Sequence, residues 1–293
     1  MELHQLRYFV AVVDEENFTR AAERCLVSQP SLSQQIIKLE KELGQPLLER
    51  LGRRVQLTDA GRLLYDKALR VLSTVDGVQD ELAELSGEGR GRLAVGAMLT
   101  AAPYLLPKLV RRFGRRFPHA EIILHEDLTE QIVDRLMQGE LDVGILALPL
   151  EQRPLETTEL FTEELLLAVP KGHRLASKKR VTMADVAREP FVLIDPLHCL
   201  GQQVLAFCLE RDCRPRVVCR SSQILTVQQL VGSGVGISLL PECAARADRT
   251  RKCAYRSLSA DRPTRTLVLA WREGRHQSRV VREFIRDAEQ HAK

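Results

Sequence analysis

Several features that proteins of other classes carry are missing from this sequence. No run of eighteen or more apolar residues occurs, so we expect no segment to span a membrane. The N-terminus, Met1-Glu2-Leu3-His4, has neither a basic start nor an apolar signal core. We therefore expect a cytoplasmic protein. The net charge of +4 is too small to indicate a nucleic-acid partner by itself, so local patterns have to carry that inference.

The cysteines also lack a recognisable framework. There are seven, an odd number, widely scattered, and none is spaced as Cys-x-x-Cys. A zinc ribbon or knuckle is therefore not expected, and no cofactor is predicted. In a reducing compartment most such thiols are free, buried and inert. We expect this of Cys25, Cys219, Cys243 and Cys253.

The 293 residues are enough for two or more domains, and the first 58 predict a winged helix-turn-helix. Apolar residues at helical spacing predict a helix from Leu3 to Val13 and a short one at 18–25. After a tight turn, Ser28 is a natural N-cap for a third helix over 29–43, which Gly44 ends. Residues 46–58 then predict a two-stranded wing that turns at Gly52.

Polar side chains on the third helix and the wing are candidates for DNA contact. Glutamine and serine can hydrogen-bond base edges, while lysine and arginine can reach phosphate. A surface helix with ordinary polar residues is the alternative, which the ordered set as a whole disfavours. The candidates are Gln29, Pro30, Ser31, Ser33, Gln34, Lys38, Arg50, Arg53 and Arg54.

Residues 59–86 predict one long helix that connects the head to the rest of the chain. Its apolar residues alternate four and three positions apart, which is typical of a coiled-coil seam. A helix packed against its own domain is the alternative, but a glycine-rich linker at 87–91 follows at once. We therefore predict a dimer. The seam residues are Leu64, Ala68, Val71, Val75, Val78, Leu82 and Leu85.

Residues 87–293 alternate short apolar runs with helical segments, which predicts an α/β domain with a parallel sheet. We expect two lobes, one from about 87–162 plus 268–293 and one from about 163–267. Thr100 and Thr129 fall at consecutive strand-to-helix junctions, where such folds bind ligands. Each could simply cap a helix. Together they could line a polar pocket for a carboxylate or for hydrogen peroxide.

Two cysteines flank a segment with unusual geometry. A buried strand at 191–194 ends before Cys199, which we expect in a polar loop beside His198, with helical pattern from Gln202. If Cys199 and Cys208 shared one continuous helix, they would lie about 13 Å apart. A disulfide needs α-carbons roughly 5.5–6 Å apart. A bond therefore requires the segment to be rebuilt, and we hypothesise a redox switch in which a thiolate attacks peroxide and a second thiol resolves the sulfenic acid.

The head also carries a family resemblance. Residues 21–33, 36–44, 47–50 and 57–61 resemble the N-terminal signature of LysR-type transcriptional regulators. That resemblance implies a winged helix-turn-helix followed by a linker helix and a two-lobed, periplasmic-binding-protein-like regulatory domain. It also implies a homodimer or homotetramer that binds inverted-repeat promoter sites in double-stranded DNA and works with RNA polymerase, with no membrane partner.

The resemblance extends to the peroxide-sensing branch of that family, through residues 104–107, 125–126, 198–200, 207–208 and 234–241. It implies that Cys199 is the peroxidatic thiol and that Cys208 resolves it. It further implies a peroxide site surrounded by Thr100, Thr129, His198 and Arg265. Two departures stand out, namely the loop 201–203 and the additional Cys213.

Cys213 leaves the resolving thiol open, since it lies five residues beyond Cys208. A metal site built from His198, Cys199, Cys208 and Cys213 is disfavoured by its irregular spacing.

The sequence therefore predicts a DNA-binding regulator that senses hydrogen peroxide through Cys199 and a disulfide to Cys208, and not an enzyme. One alternative is a regulator of the same type that responds to a small carboxylate-like effector between the lobes. A second alternative is a thiol peroxidase. A DNA-binding head would be superfluous in such an enzyme, and no recycling Cys-x-x-Cys is present.

Overall fold

A computed structural model describes the chain over residues 1–51, 54–85, 91–150, 153–259 and 262–291. Within these ranges no helix is both long enough and apolar enough to cross a membrane.

The first described segment is a helix-turn-helix with a wing, as the sequence predicts. Its three helices pack around a core that includes Phe9, Leu32 and Ile36, all fully buried. Gly44 adopts φ +68° at the end of the third helix, a backbone conformation that favours glycine. The wing is an antiparallel strand pair. The elements are α1 (Leu3–Glu15), α2 (Phe18–Arg24), α3 (Gln29–Leu43), β1 (Leu48–Leu51) and β2 (Arg54–Leu57).

The connecting helix α4 (Asp59–Leu85) uses its first half to pack against α1. Ala68, Leu69 and Leu72 are buried against that helix. Val71 and Val78, seven residues apart, are 42% and 48% exposed. One stripe of the helix is therefore covered by the head, while a second apolar track faces outward.

The remaining described residues form two units with separate cores. Leu160 packs in the first core and Leu165 in the second, so one strand contributes to both. In chain order, this region of the protein begins with β3 (Gly91–Met98), α5 (Ala102–Arg116), β4 (Ala120–Asp127), α6 (Thr129–Met137), β5 (Val143–Ala147) and β6 (Leu155–Pro170). It continues with α7 (Met183–Val186), β7 (Pro190–Ile194), α8 (Cys199–Leu209), β8 (Arg216–Ser221) and α9 (Ile224–Gly232). It ends with β9 (Ser238–Pro241), α10 (Glu242–Ala247), β10 (Cys253–Arg256), β11 (Thr264–Arg272) and α11 (Arg279–His291).

The α/β class is confirmed, but the expectation of a parallel sheet is only partly correct. Strand β3 pairs in parallel with β4 and β5, and β7 pairs in parallel with β8. Strand β11 is antiparallel to both β5 and β6, and β6 is antiparallel to β9 and β10. The reason is the path of the chain, because β6 leaves the first unit and β11 returns to it. The two strands therefore lie side by side in opposite directions.

Candidate functional site

Helix α8 starts at Cys199, three residues earlier than the sequence predicts, so Cys199 is the first residue of a helix and not part of a loop. Asp195 organises the approach to that helix. Its carboxylate accepts a hydrogen bond from the Leu197 amide (3.0 Å), and its carbonyl accepts one from the His198 amide (2.9 Å). These bonds turn the chain from the end of β7 directly into α8.

Gly201 lets the first turn of α8 lie against the end of β7. A β-carbon at this position would stand 2.4 Å from the Ile194 carbonyl oxygen and 2.5 Å from that of Asp195. Both atoms belong to the backbone and cannot swing aside. The glycine that departs from the family pattern therefore fixes where Cys199 sits relative to the strand.

Cys199 is half-buried at the wall of a small cavity between α6 and α8. Its sulfur lies 3.5 Å from the sulfur of Met98, which ends strand β3. The hydroxyl of Thr129, in the same cavity wall, is buried without a hydrogen-bond partner. The cavity has a volume of about 200 Å³. Its lining comprises Leu128, Thr129, Glu130, Val133, Pro149, Leu150, Arg153, Leu197, Cys199 and Gln202. As the first residue of α8, Cys199 lies at the positive end of the helix dipole.

Thr100 and Arg265 contact each other in a buried ionic network rather than lining that cavity. The Arg265 guanidinium donates to the Thr100 hydroxyl (3.1 Å), to the Thr100 carbonyl (3.2 Å) and to the Glu163 carboxylate (2.8 Å). It also approaches the Cys243 sulfur at 3.7 Å. Both partners of the Arg265–Glu163 ion pair are almost completely buried. The network lies between β11, β6 and α10 and ties the two units together.

His198 is 6% exposed and immediately precedes the helix. Burial lowers the pKa of its imidazole, while the carboxylate of Asp195 acts in the opposite direction. The ring is therefore neutral at pH 7, and it can offer a hydrogen bond to a neighbouring group but not a positive charge.

Of the four expected pocket residues, the structure places Thr129 in one cavity wall with Cys199. Thr100 and Arg265 are bonded to each other. Thr100 is only two residues from Met98, whose sulfur contacts that of Cys199. The sequence did not suggest Met98 or Glu163, because a methionine at the end of a strand and a single charge within a long strand carry no distinguishing pattern. Gln203 lies in the segment 201–203 that departs from the family pattern. Its amide donates to the Leu148 carbonyl (2.7 Å), and its own oxygen is buried without a partner.

Cys208 occupies the other end of α8 and is fully buried. Burial raises the pKa of its thiol to about 12, and contact with Cys213 acts in the same direction. Cys213 is also buried, and burial raises its pKa too. Cys199 and Cys208 are nine residues apart on one helix, which separates their α-carbons by about 13 Å. Because they lie at opposite ends of α8, these thiols cannot share a metal ion in this arrangement.

The expectation that four other cysteines are buried holds for only one of them. Cys253 is buried, whereas Cys25, Cys219 and Cys243 are half-buried. Cys219 lies on β8, a strand whose residues alternate between exposed and half-buried positions. The pKa of the Cys243 thiol is raised to about 12, mainly by burial and secondly by the negative charge of Glu163. All seven cysteines are free thiols in this structure.

The head presents a polar surface on α3. Leu32, Ile36 and Leu39 face the core, and the Ser28 hydroxyl accepts a hydrogen bond from the Ser31 amide (3.4 Å) at the start of the helix. Of the candidates for DNA contact, Ser33 is half-buried and five are exposed, namely Gln29, Pro30, Ser31, Gln34 and Lys38. Arg50 and Arg54 lie on the paired strands of the wing, and Arg53 lies outside the described residues.

Fold and sequence together define the class. The model of the bacterial regulatory helix-turn-helix protein of the lysR family matches residues 3–62, and that of the LysR substrate binding domain matches residues 86–293. The chain belongs to the LysR family of transcriptional regulators.

Within that family it is similar to OxyR. It is 40% identical over 276 residues to the DNA-binding transcriptional dual regulator OxyR of Escherichia coli K12, covering 94% of this chain and 90% of that protein. A full-length OxyR variant of Pseudomonas aeruginosa superposes with a TM-score of 0.72 at 32% identity, covering 99% of this chain and 98% of the other. A Corynebacterium glutamicum OxyR mutant with bound hydrogen peroxide gives 0.64 at 30% identity, covering 99% and 93%.

Proposed function

We propose that this protein is a DNA-binding transcriptional regulator that senses hydrogen peroxide through Cys199. The observation that carries the proposal is the position of Cys199, half-exposed at the N-terminus of α8 and in one cavity with a buried, unpartnered Thr129 hydroxyl. The similarity to OxyR, whose C. glutamicum mutant holds hydrogen peroxide, supports the same assignment. Thr129 offers one hydrogen-bond donor and acceptor to a small polar ligand at the sulfur.

The reaction proceeds in two balanced steps. The Cys199 thiolate attacks one oxygen of hydrogen peroxide, the O–O bond breaks, and the departing hydroxide takes up a proton to become water. Cys199 is now a sulfenic acid. The Cys208 sulfur then attacks the Cys199 sulfur, the S–O bond breaks, and a second water leaves as the disulfide forms. Two thiols are oxidised and one peroxide is reduced.

The second step requires α8 to come apart. The helix holds its two cysteines about 13 Å apart, whereas disulfide α-carbons lie within about 6.8 Å of each other. Cys208 must also leave a fully buried position in the second core. Oxidation therefore removes the packing contacts around Cys208, and the new disulfide stabilises a different backbone conformation of this segment. That difference is the signal that the regulatory domain passes on.

The signal acts on paired DNA-binding heads. Val71 and Val78 form an outward apolar track on α4, and a second copy of the chain would cover it in a dimer. With two heads so joined, the exposed polar residues at the start of each α3 enter successive major grooves of an inverted repeat. The proposal includes assembly as a homodimer or homotetramer, recognition of promoter DNA and contact with RNA polymerase.

A second candidate is a regulator that binds a small carboxylate. The observation in its favour is Arg153 in the cavity wall, a cation suited to a carboxylate. The volume of about 200 Å³ argues the other way, because pockets for typical organic ligands measure roughly 300–1,000 Å³. A ligand-dependent rise in melting temperature of a Cys199→Ser, Cys208→Ser variant with small carboxylates would favour this candidate.

The test of the peroxide proposal uses DNA selected with the reduced protein from a random pool of duplexes. After one equivalent of hydrogen peroxide, we expect the footprint of the wild-type protein on that DNA to change and that of Cys199→Ser to stay as it was. An identical change in both proteins would overturn the role of Cys199.

A further inference from the structure

The C-terminal end of α8 is closed by a pair of hydrogen bonds that brings two cysteines together. The Cys213 amide donates to the Cys208 carbonyl (3.0 Å), and the Asp212 amide donates to the Leu209 carbonyl (3.1 Å). Asp212 adopts φ +52°. These bonds around a left-handed residue define a Schellman closure, in which the side chains of the first and sixth residues pack against each other. Here both of those residues are cysteines.

The two thiols are in direct contact inside the second core. Cys208 is 0% exposed and Cys213 is 3% exposed, and both belong to the same buried cluster, where each thiol shifts the pKa of the other. Burial raises the pKa of both, so they remain neutral thiols in the reduced fold. A disulfide between these two residues would join positions on either side of the helix closure and would not have to span the length of α8, as a Cys199–Cys208 disulfide must.

Chain connectivity keeps Cys213 near Cys208 in any rearranged state. Only four residues separate them, so Cys213 follows when Cys208 is drawn towards Cys199. A short tether of this kind gives the second thiol a high effective concentration at the first. Cys199, by contrast, reaches Cys208 only when α8 is broken.

We propose that Cys213 is a second resolving thiol, which attacks the Cys208 sulfur of a Cys199–Cys208 disulfide and leaves a Cys208–Cys213 disulfide. This inference rests on the proposed function, because peroxide supplies the oxidising equivalents. In the exchange the Cys199–Cys208 bond breaks, the Cys208–Cys213 bond forms, and Cys199 leaves as a thiolate. The proton of Cys213 ends on Cys199 or in solvent, and no further oxidant is consumed.

The consequence is a switch that limits its own duration. Once Cys199 is released, α8 can form again with Cys199 at its N-terminus, while the chain stays oxidised at the other end of the helix. The constraint that the first disulfide places on the backbone of α8 is thereby removed. Cys199 is then available to react with a second peroxide.

Trypsin sites distinguish the two disulfides. No lysine or arginine lies between Glu189 and Arg211, so Cys199 and Cys208 fall in one tryptic peptide, whereas Cys213 falls in the peptide 212–216. A Cys199–Cys208 bond therefore lies within peptide 189–211. A Cys208–Cys213 bond joins the two peptides. Fragmentation of the joined peptides then shows whether Cys213 is bonded to Cys208 or to Cys199.

The experiment is a time course after one equivalent of hydrogen peroxide, with thiols trapped by rapid alkylation. We expect the disulfide within peptide 189–211 first, followed by the joined peptides linked through Cys208. In Cys213→Ala the first disulfide should persist at least tenfold longer. Cys253→Ala, which removes a buried thiol that donates to the Gln228 carbonyl (3.2 Å), should follow the wild-type course.

Two outcomes would overturn the exchange from Cys199–Cys208 to Cys208–Cys213, and a third would count against the proposed function. An internal disulfide with the same lifetime in wild type and Cys213→Ala would overturn it. Equally rapid appearance of the joined peptides in Cys199→Ser would show that Cys208 and Cys213 are oxidised without Cys199, which also overturns it. If neither linkage formed in the wild-type protein, the failure would lie with the proposed function itself.

Discussion

Cys199 and Cys208 stand at opposite ends of the same eleven-residue helix, one half-exposed beside a cavity and the other fully buried. Their separation of about 13 Å is more than twice the usual distance between disulfide-bonded α-carbons. The reduced fold and a Cys199–Cys208 disulfide are therefore mutually exclusive backbones. This exclusivity makes the pair suitable as a switch, because the covalent bond cannot form without a change of structure.

Replacing Gly201 with alanine should destabilise the reduced fold. The new methyl group would meet two backbone oxygens at 2.4 and 2.5 Å, and overpacking of this kind costs about 1–3 kcal/mol. Urea unfolding measures the change. The matched control is Gly114→Ala in α5, where a β-carbon would meet no atom within 4 Å. That variant should be as stable as wild type or more stable by up to about 1 kcal/mol, and equal losses in the two variants would contradict the close contact.

Glu163→Gln should reduce the free energy of unfolding by about 3–5 kcal/mol, because it leaves the buried Arg265 cation without its partner. Chemical denaturation provides the measurement. Glu242→Gln is the control, since it removes the partner of Arg246 in an exposed pair on the same side of the fold and should cost less than about 1 kcal/mol. Similar costs for both substitutions would show that the Arg265 network does not hold the two units together.

Thr129→Val tests the role of the unpartnered hydroxyl. Valine keeps the shape and removes a buried polar group that has no hydrogen-bond partner, so stability should be maintained or rise by about 1 kcal/mol. The rate of Cys199 oxidation by peroxide, followed by stopped-flow fluorescence or quenched alkylation, should fall roughly tenfold for the loss of one hydrogen bond of about 1.4 kcal/mol. An unchanged rate would remove Thr129 from the peroxide site.

The buried His198 predicts a dependence of stability on pH. Burial lowers its pKa in the folded state, so the unfolded chain binds a proton more readily. This contribution to stability is complete above the ordinary histidine pKa of about 6.5 and is lost as the pH falls below it. The free energy of unfolding of wild type should drop more between pH 7.5 and 5.5 than that of His198→Gln, by at most about 1.4 kcal/mol per pH unit. Parallel profiles for the two proteins would contradict the buried neutral imidazole.

Much of the architecture could be predicted from periodicity and caps. Ser28 and Gly44 bound the third helix as expected, because the capping bonds are made between residues close together in the sequence. The antiparallel passages of β6 and β11 could not be predicted, since strand direction depends on how distant segments meet. For the same reason the start of α8 was placed too late. The helical pattern begins at Gln202, but the helix begins at Cys199, where the missing β-carbon of Gly201 lets the first turn lie against the end of β7.

The sequence suggested several residues of the candidate site but not how they are arranged. Thr129 lines the same cavity as Cys199, whereas Thr100 and Arg265 bond to each other and to Glu163 and do not line it. A buried ion pair between residues 102 positions apart leaves no trace in a local pattern. The contact of Cys208 with Cys213 is different, because the i, i+5 spacing at a helix end was present in the sequence and acquires meaning once the helix is known to close there.

The mass of tryptic peptide 189–211 after a brief pulse of one equivalent of hydrogen peroxide tests most directly whether Cys199 is the sensing thiol. We expect the peptide from wild-type protein to become resistant to alkylation at both cysteines and lighter by the two hydrogens lost in a disulfide. In Cys208→Ser, Cys213→Ser protein we expect a sulfenic acid at Cys199 that dimedone traps. Full alkylation of Cys199 in the peroxide-treated wild-type protein, with no disulfide in either peptide, would contradict a sensing role for Cys199.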